Sequence, residues 1–133
     1  MPLRAVNPPG SNIPGISQCV IVEGGRLVFL SGHVPMLPDG SVAGPGLEAQ
    51  LVQVFENLKV TLTAADTDFG SVARLTIYVR EYRPEQLVAI RAIRDRYVDP
   101  GRPPASALIG VATLFHPDVL VEVDAVAALP PSV

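Results

Sequence analysis

Lysine is nearly missing from this 133-residue chain, cysteine and histidine are scarce, and no apolar run is long. Lys59 is the single lysine, and the formal net charge is −3. Phosphate binding over a broad surface rests on clustered lysine and arginine, so a nucleic-acid partner is disfavoured. Cys19 is the one cysteine, which rules out an internal disulfide and a thiolate zinc site. The histidines, His33 and His116, have no metal-ligand spacing with Cys19. No cofactor and no metal is therefore expected, unless carboxylates or a second subunit supply ligands. Cys19 has no basic neighbour in sequence to lower its thiol pKa and reads as a packing residue. The longest apolar runs are strand-length, such as Leu27 to Leu30, against the ~20 residues that a membrane span needs. The stretch from Met1 to Gly10 has no apolar signal core and reads as an irregular arm. A cytoplasmic protein with no membrane partner is expected.

What is present is a globular composition, 48% hydrophobic and 17% charged, of a length that suits one domain over residues 1–133. Ser17 to Val22 and Arg26 to Ser31 read as strands. Glu23-Gly24-Gly25 between them predicts a hairpin turn. Ser31-Gly32-His33-Val34-Pro35 closes the second strand, and Gly32 permits close backbone approach there. From Leu47 to Ala65, apolar residues recur at three and four positions, which predicts a helix. Val72 to Arg80 returns to period two, with Leu75, Ile77 and Val79 against Arg74, Thr76, Tyr78 and Arg80. Pro84 to Val98 predicts a second helix with Leu87, Ile90, Ile93 and Tyr97 as its core stripe. On it, Asp95 is spaced to pair with Arg91. Two final strands follow, Pro103 to Val111 and its expected partner Asp118 to Val126.

This order predicts a two-layer α+β fold, a mixed sheet with two helices on one face. The other face has no cover, and Leu108, Leu120 and Val126 are expected on it. A contiguous apolar patch marks an interface, so a closed homo-oligomer with sites between subunits is expected. The last strand carries an anomaly. Val119, Val121, Val123, Ala125 and Ala127 form one face, while Glu122 sits mid-strand on the other. A carboxylate taken from water costs free energy unless it is paired or hydrogen-bonded. Glu122 is the candidate catalytic residue.

Ser17-Gln18-Cys19-Val20 with Leu27 to Pro35, Gln50 with Asn57-Leu58, and Leu120 to Ala127 together resemble the Rid family of reactive intermediate deaminases. This family is also called YjgF or L-PSP, and the likeness covers nearly the whole chain. It implies a chorismate-mutase-like fold, a homotrimer, and three small-molecule clefts at subunit interfaces. The deaminating members hydrolyse imines and enamines derived from amino acids. Their signature arginine, which grips the substrate carboxylate after Pro-Ala, corresponds here to Ser106. Their frequent cysteine corresponds to Leu108, a tyrosine to Ile16, and a second-helix asparagine loosely to Arg91. Glu122 and the Ser31-Gly32 turn match. The chain thus resembles a subgroup without the arginine.

An arginine fork meets a carboxylate bidentately, whereas serine offers one neutral hydroxyl. Each charge-assisted hydrogen bond lost should cost roughly 1.5–3 kcal/mol. Glu122 can still orient water by general-base action. His33 is a further candidate acid or base after the turn. Arg91, or Arg94, is a candidate for the missing cation. Three functions remain: an imine or enamine hydrolase, a small-ligand-binding trimer without turnover, and an endoribonuclease. The acidic charge balance weighs against the last.

Overall fold

The computed structural model describes residues 2–11 and 13–132. Eight extended or helical segments dominate it. They are β1 (Leu3–Val6), β2 (Cys19–Val22), β3 (Arg26–His33), α1 (Gly46–Ala64), β4 (Val72–Arg80), α2 (Leu87–Arg94), β5 (Ala105–Val111) and β6 (Val121–Leu129). A four-stranded sheet in the order β3-β6-β4-β5 carries both helices on one face. β4 and β5 run parallel, joined through α2, and β6 is antiparallel to both of its neighbours.

Period two decides what each face does. Val121, Val123, Ala125 and Ala127 of β6 and Leu75, Ile77 and Val79 of β4 are buried against α1 and α2. α1 supplies Leu51, Val54, Phe55, Leu58 and Leu62 to the same core, all buried. Burying side chains of this kind stabilises by about 1.5–3 kcal/mol each. Phe55 stacks on Tyr97 with centroids 4.8 Å apart, and the Tyr97 hydroxyl donates to Glu56 at 2.7 Å. Burial, with that carboxylate as acceptor, pushes the Tyr97 phenol up to about 12. Gln50 is buried among the apolar residues, and its amide donates to the Asp118 carbonyl and accepts from the Leu120 N–H, both at 2.8 Å. It thereby pins the start of β6 to α1.

Five expectations are corrected. The segment read as an irregular arm holds β1, which pairs with β2. The segment Glu23-Gly24-Gly25 therefore does not close a hairpin, and β2 and β3 lie in separate sheets. Glu23 ties β2 to β1 instead, through its side chain to Arg4 and its N–H to the Pro2 carbonyl. β5 and β6 are not partners either, because β4 lies between them. Cys19 is exposed on the β1–β2 ribbon rather than packed. Finally, the second helical segment is shorter, a 3-10 turn over Pro84–Gln86 followed by α2.

The helix-free face of the sheet is apolar at its surface. Phe29 on β3 is 75% exposed and Ile109 on β5 is 42% exposed. With Val126 and Ala107 they border a concavity of about 610 Å³ whose polar lining is Arg74, Thr76, Tyr78 and Asp124. Leu108 is not part of this face. It pairs with Ile77 and lies under α2, so its expected exposure on the open side is corrected.

Candidate functional site

Glu122 lies on the open face, opposite Tyr78 of β4. Its carboxylate rests directly on Gly32. A Cβ built at Gly32 would overlap Oε2 and come within 2.8 Å of Cδ. That contact exists because β3 carries an extra residue here. Leu30 pairs with Ala125, yet His33 pairs with Val123, so three steps on β3 match two on β6. Such a bulge re-aims side chains. Ser31 and Gly32 are both exposed beside the acid. Burial raises the Glu122 carboxyl above the ordinary range, and the neighbouring Asp124 adds to the rise. Asp124 accepts a hydrogen bond from Tyr78 at 3.2 Å, and burial, then Asp124, raises that phenol too. A carboxyl pushed upward by its surroundings is suited to taking and returning a proton.

The remaining predicted residues gather elsewhere. Ser106 pairs with Leu75 and Leu108 with Ile77, both core positions, so their side chains point to the helix layer. They line a pocket of about 110 Å³ with Ile13, Ile16, Leu87, Ile90, Arg91 and Arg94. Ser106, Leu108, Ile16 and Arg91 therefore come together, as do Glu122, Ser31 and Gly32. The two groups lie on opposite faces of one sheet. Within a single chain they do not meet.

The two arginines of α2 differ. Arg94 is 6% exposed, and its guanidinium is engaged by Asp95 at 3.0 Å and by the Pro14 carbonyl at 3.1 Å. Asp95 thus pairs with Arg94, not with Arg91 as the spacing suggested. Gly15 beside Pro14 has φ +83, and a Cβ there would overlap the Arg94 guanidinium. Arg91 is exposed and makes no ion pair among the described residues. His33 leaves the bulge on the helix side, where its ring meets Thr61 of α1. It does not share the open face with Glu122.

Sequence reasoning passed over Tyr78 and Asp124 as site residues, although their period-two positions put them beside Glu122. It also missed that Arg94, four residues after Ile90, continues the buried stripe. Nothing in the sequence signalled the His33–Thr61 contact. Among the described residues, no group of histidine, cysteine and carboxylate side chains is arranged to hold a metal ion. No helix among them is long and apolar enough to cross a membrane.

A bulged strand laid against an acid-bearing strand, with two helices behind a mixed sheet, defines a class of small α+β proteins. The chain belongs to the endoribonuclease L-PSP family, the Rid or YjgF family, whose model matches residues 13–129. It is similar to protein DfrA of Myxococcus xanthus, 37% identical over 112 residues that cover 84% of this chain and 82% of the relative. The 2-iminobutanoate/2-iminopropanoate deaminase of Salmonella typhimurium is 27% identical over 80% of this chain and 82% of its own. Among solved structures, the Rid-family protein of unknown function YyfB from Yersinia pestis superposes with a TM-score of 0.87. It is 33% identical, covering 97% of this chain and 100% of that one. The chorismate-mutase-like α+β architecture expected from the sequence is the one found.

Proposed function

We propose that this chain forms a closed homotrimer and hydrolyses a small imine or enamine in clefts between protomers. The observation that carries the reading is the Glu122 carboxyl, raised above its usual range and seated on the Gly32 bulge of an open sheet face. The Ile16–Ser106–Leu108 pocket lies across the sheet from it, so a complete site takes Glu122 from one copy and the pocket from the next. The exposed Phe29 and Ile109 supply the apolar contact surface that a ring of three copies would cover.

In this cleft Glu122 draws a proton from water as the water oxygen bonds to the C=N carbon. The proton passes to the nitrogen and gives a carbinolamine; its hydroxyl proton then moves through Glu122 to the same nitrogen as the C–N bond breaks, and ammonia leaves with a carbonyl product. Ser106 offers one hydroxyl where a guanidinium would give a charged fork. The substrate accordingly lacks a free carboxylate next to the imine, or has it met by Arg91. The absent guanidinium supports a second reading, a trimer that holds a small metabolite without turnover. An endoribonuclease is opposed by the net charge of −3 and the single lysine.

The deciding assay generates 2-aminoacrylate or a carboxylate-free imine in solution and follows ammonia release with wild type and Glu122→Gln. Acceleration by wild type alone is expected. No acceleration, together with saturable binding of an imine analogue, selects the binding trimer. A gain of activity on 2-aminoacrylate in Ser106→Arg identifies the carboxylate clamp as the missing part.

A further inference from the structure

His33 is bound at both ring nitrogens, and each bond belongs to a different layer of the fold. Nδ1 lies 2.7 Å from the carbonyl oxygen of Ser31, inside the bulge. Nε2 lies 2.6 Å from the Thr61 hydroxyl on α1. A carbonyl oxygen only accepts, so Nδ1 carries the hydrogen, and in the neutral ring Nε2 accepts from the Thr61 hydroxyl. The ring therefore ties the bulge to the helix with both ends specified. The extra residue has broken the ladder at this point, and strand pairing alone does not fix where Gly32 sits. Gly32 is the surface on which the Glu122 carboxylate lies.

We infer that His33, clamped between Ser31 and Thr61, is a positioning residue that sets the Ser31–Gly32 bulge and so the place of the Glu122 carboxylate. The inference rests on the reading of Glu122 as the reacting group. His33 itself does not touch the substrate, since it points to α1. The titratable groups that face Glu122 are Asp124 on its own strand and Tyr78 across on β4. Arg80, farther along β4, is turned to the Pro117 carbonyl.

The test follows the Glu122 side-chain carboxyl by NMR titration in wild type, His33→Leu, His33→Gln and Thr61→Val, alongside steady-state imine hydrolysis. In His33→Leu the bulge relaxes and the carboxylate gains water. Its titration midpoint falls toward the ordinary carboxylate range. A misplacement of this kind should lower kcat about tenfold or more. KM should stay within about twofold, because no ligand contact is removed. Glutamine offers one N–H and one C=O in place of the two ring nitrogens, so His33→Gln restores the wild-type midpoint. Thr61→Val shifts it in the same direction as His33→Leu, by less. An unchanged midpoint and kcat in folded His33→Leu overturns the inference, and so does equal damage in His33→Gln. Should His33→Leu fail to fold, Thr61→Val decides, and an unchanged midpoint there refutes it. The titration needs no turnover. A wild type that hydrolyses no imine defeats the proposed reaction and leaves the positioning result to stand or fall separately.

Discussion

Replacing Gly32 by alanine should separate stability from function at this site. The new Cβ would overlap Oε2 of Glu122 and approach Cδ to 2.8 Å. The atoms it meets are the far end of a flexible side chain, so the carboxylate swings away rather than the strand. Forcing a side chain off its preferred rotamer costs about 0.5–1.5 kcal/mol. Gly32 is not in the left-handed backbone region, so alanine fits its conformation. Alanine then returns about 0.4–1 kcal/mol by narrowing the unfolded ensemble. The two effects nearly cancel, and Gly32→Ala should lie within about 1 kcal/mol of wild type. Activity should not be spared. Displacing the acid should lower kcat for imine hydrolysis by about ten- to a hundredfold. Urea unfolding of Gly32→Ala, Glu122→Ala and the double variant gives the coupling, expected at about 0.5–1.5 kcal/mol. With Glu122 truncated, Gly32→Ala should become mildly stabilising. Zero coupling, or full activity in Gly32→Ala, would refute the close seating of the carboxylate on the bulge.

The raised Glu122 carboxyl also sets a pH dependence. A folded-state pKa above the unfolded one means the folded chain holds this proton more tightly. Stability from the group is thus present at low pH and is lost as pH rises from the unfolded value through the raised folded one. Glu122→Gln should therefore gain on wild type in thermal stability above that window, and the gain should vanish below it. Gln50→Leu should destabilise by about 1–3 kcal/mol for each of the two backbone groups it strands at Asp118 and Leu120, read from urea midpoints. Phe29→Asp together with Ile109→Asp should yield protomers by light scattering with the far-UV spectrum unchanged, because both residues lie on the open face and outside the core.

Local pattern carried the element types, and pairing did not follow from it. The alternation in β4 and β6 put Leu75, Ile77 and Val79 on the opposite face from Thr76 and Tyr78, and Val121 and Val123 on the opposite face from Glu122, as the structure does. α1 came within one residue at each end. Four residues, Leu3–Val6, are too few to display a period, so β1 was invisible. The glycine pair after Glu23 encodes a change of direction, while the choice of β1 over β3 as partner rests on contacts between segments far apart in the chain. The parallel β4–β5 pair joined through a helix had a legible signature, strand-helix-strand, whereas nearness in sequence favoured pairing the last two strands with each other. The candidate site divided for the same reason. Ser106 and Leu108, two positions apart on β5, share one side of the strand. Which side of the sheet they occupy depends on their register with Leu75 and Ile77, which no single segment reveals.

Two half-equipped faces on one sheet have a genetic consequence. In the proposed cyclic trimer, a protomer lacking its acid and a protomer whose pocket is plugged at Leu108 would fail in different halves, so each would rescue the other. Every mixed ring then contains one intact junction, and random mixing of the two inactive chains in equal amounts should return about a quarter of the wild-type sites. Damage at Glu122 and damage at Leu108 would then behave as complementing alleles of one gene, while two lesions on the same half would not.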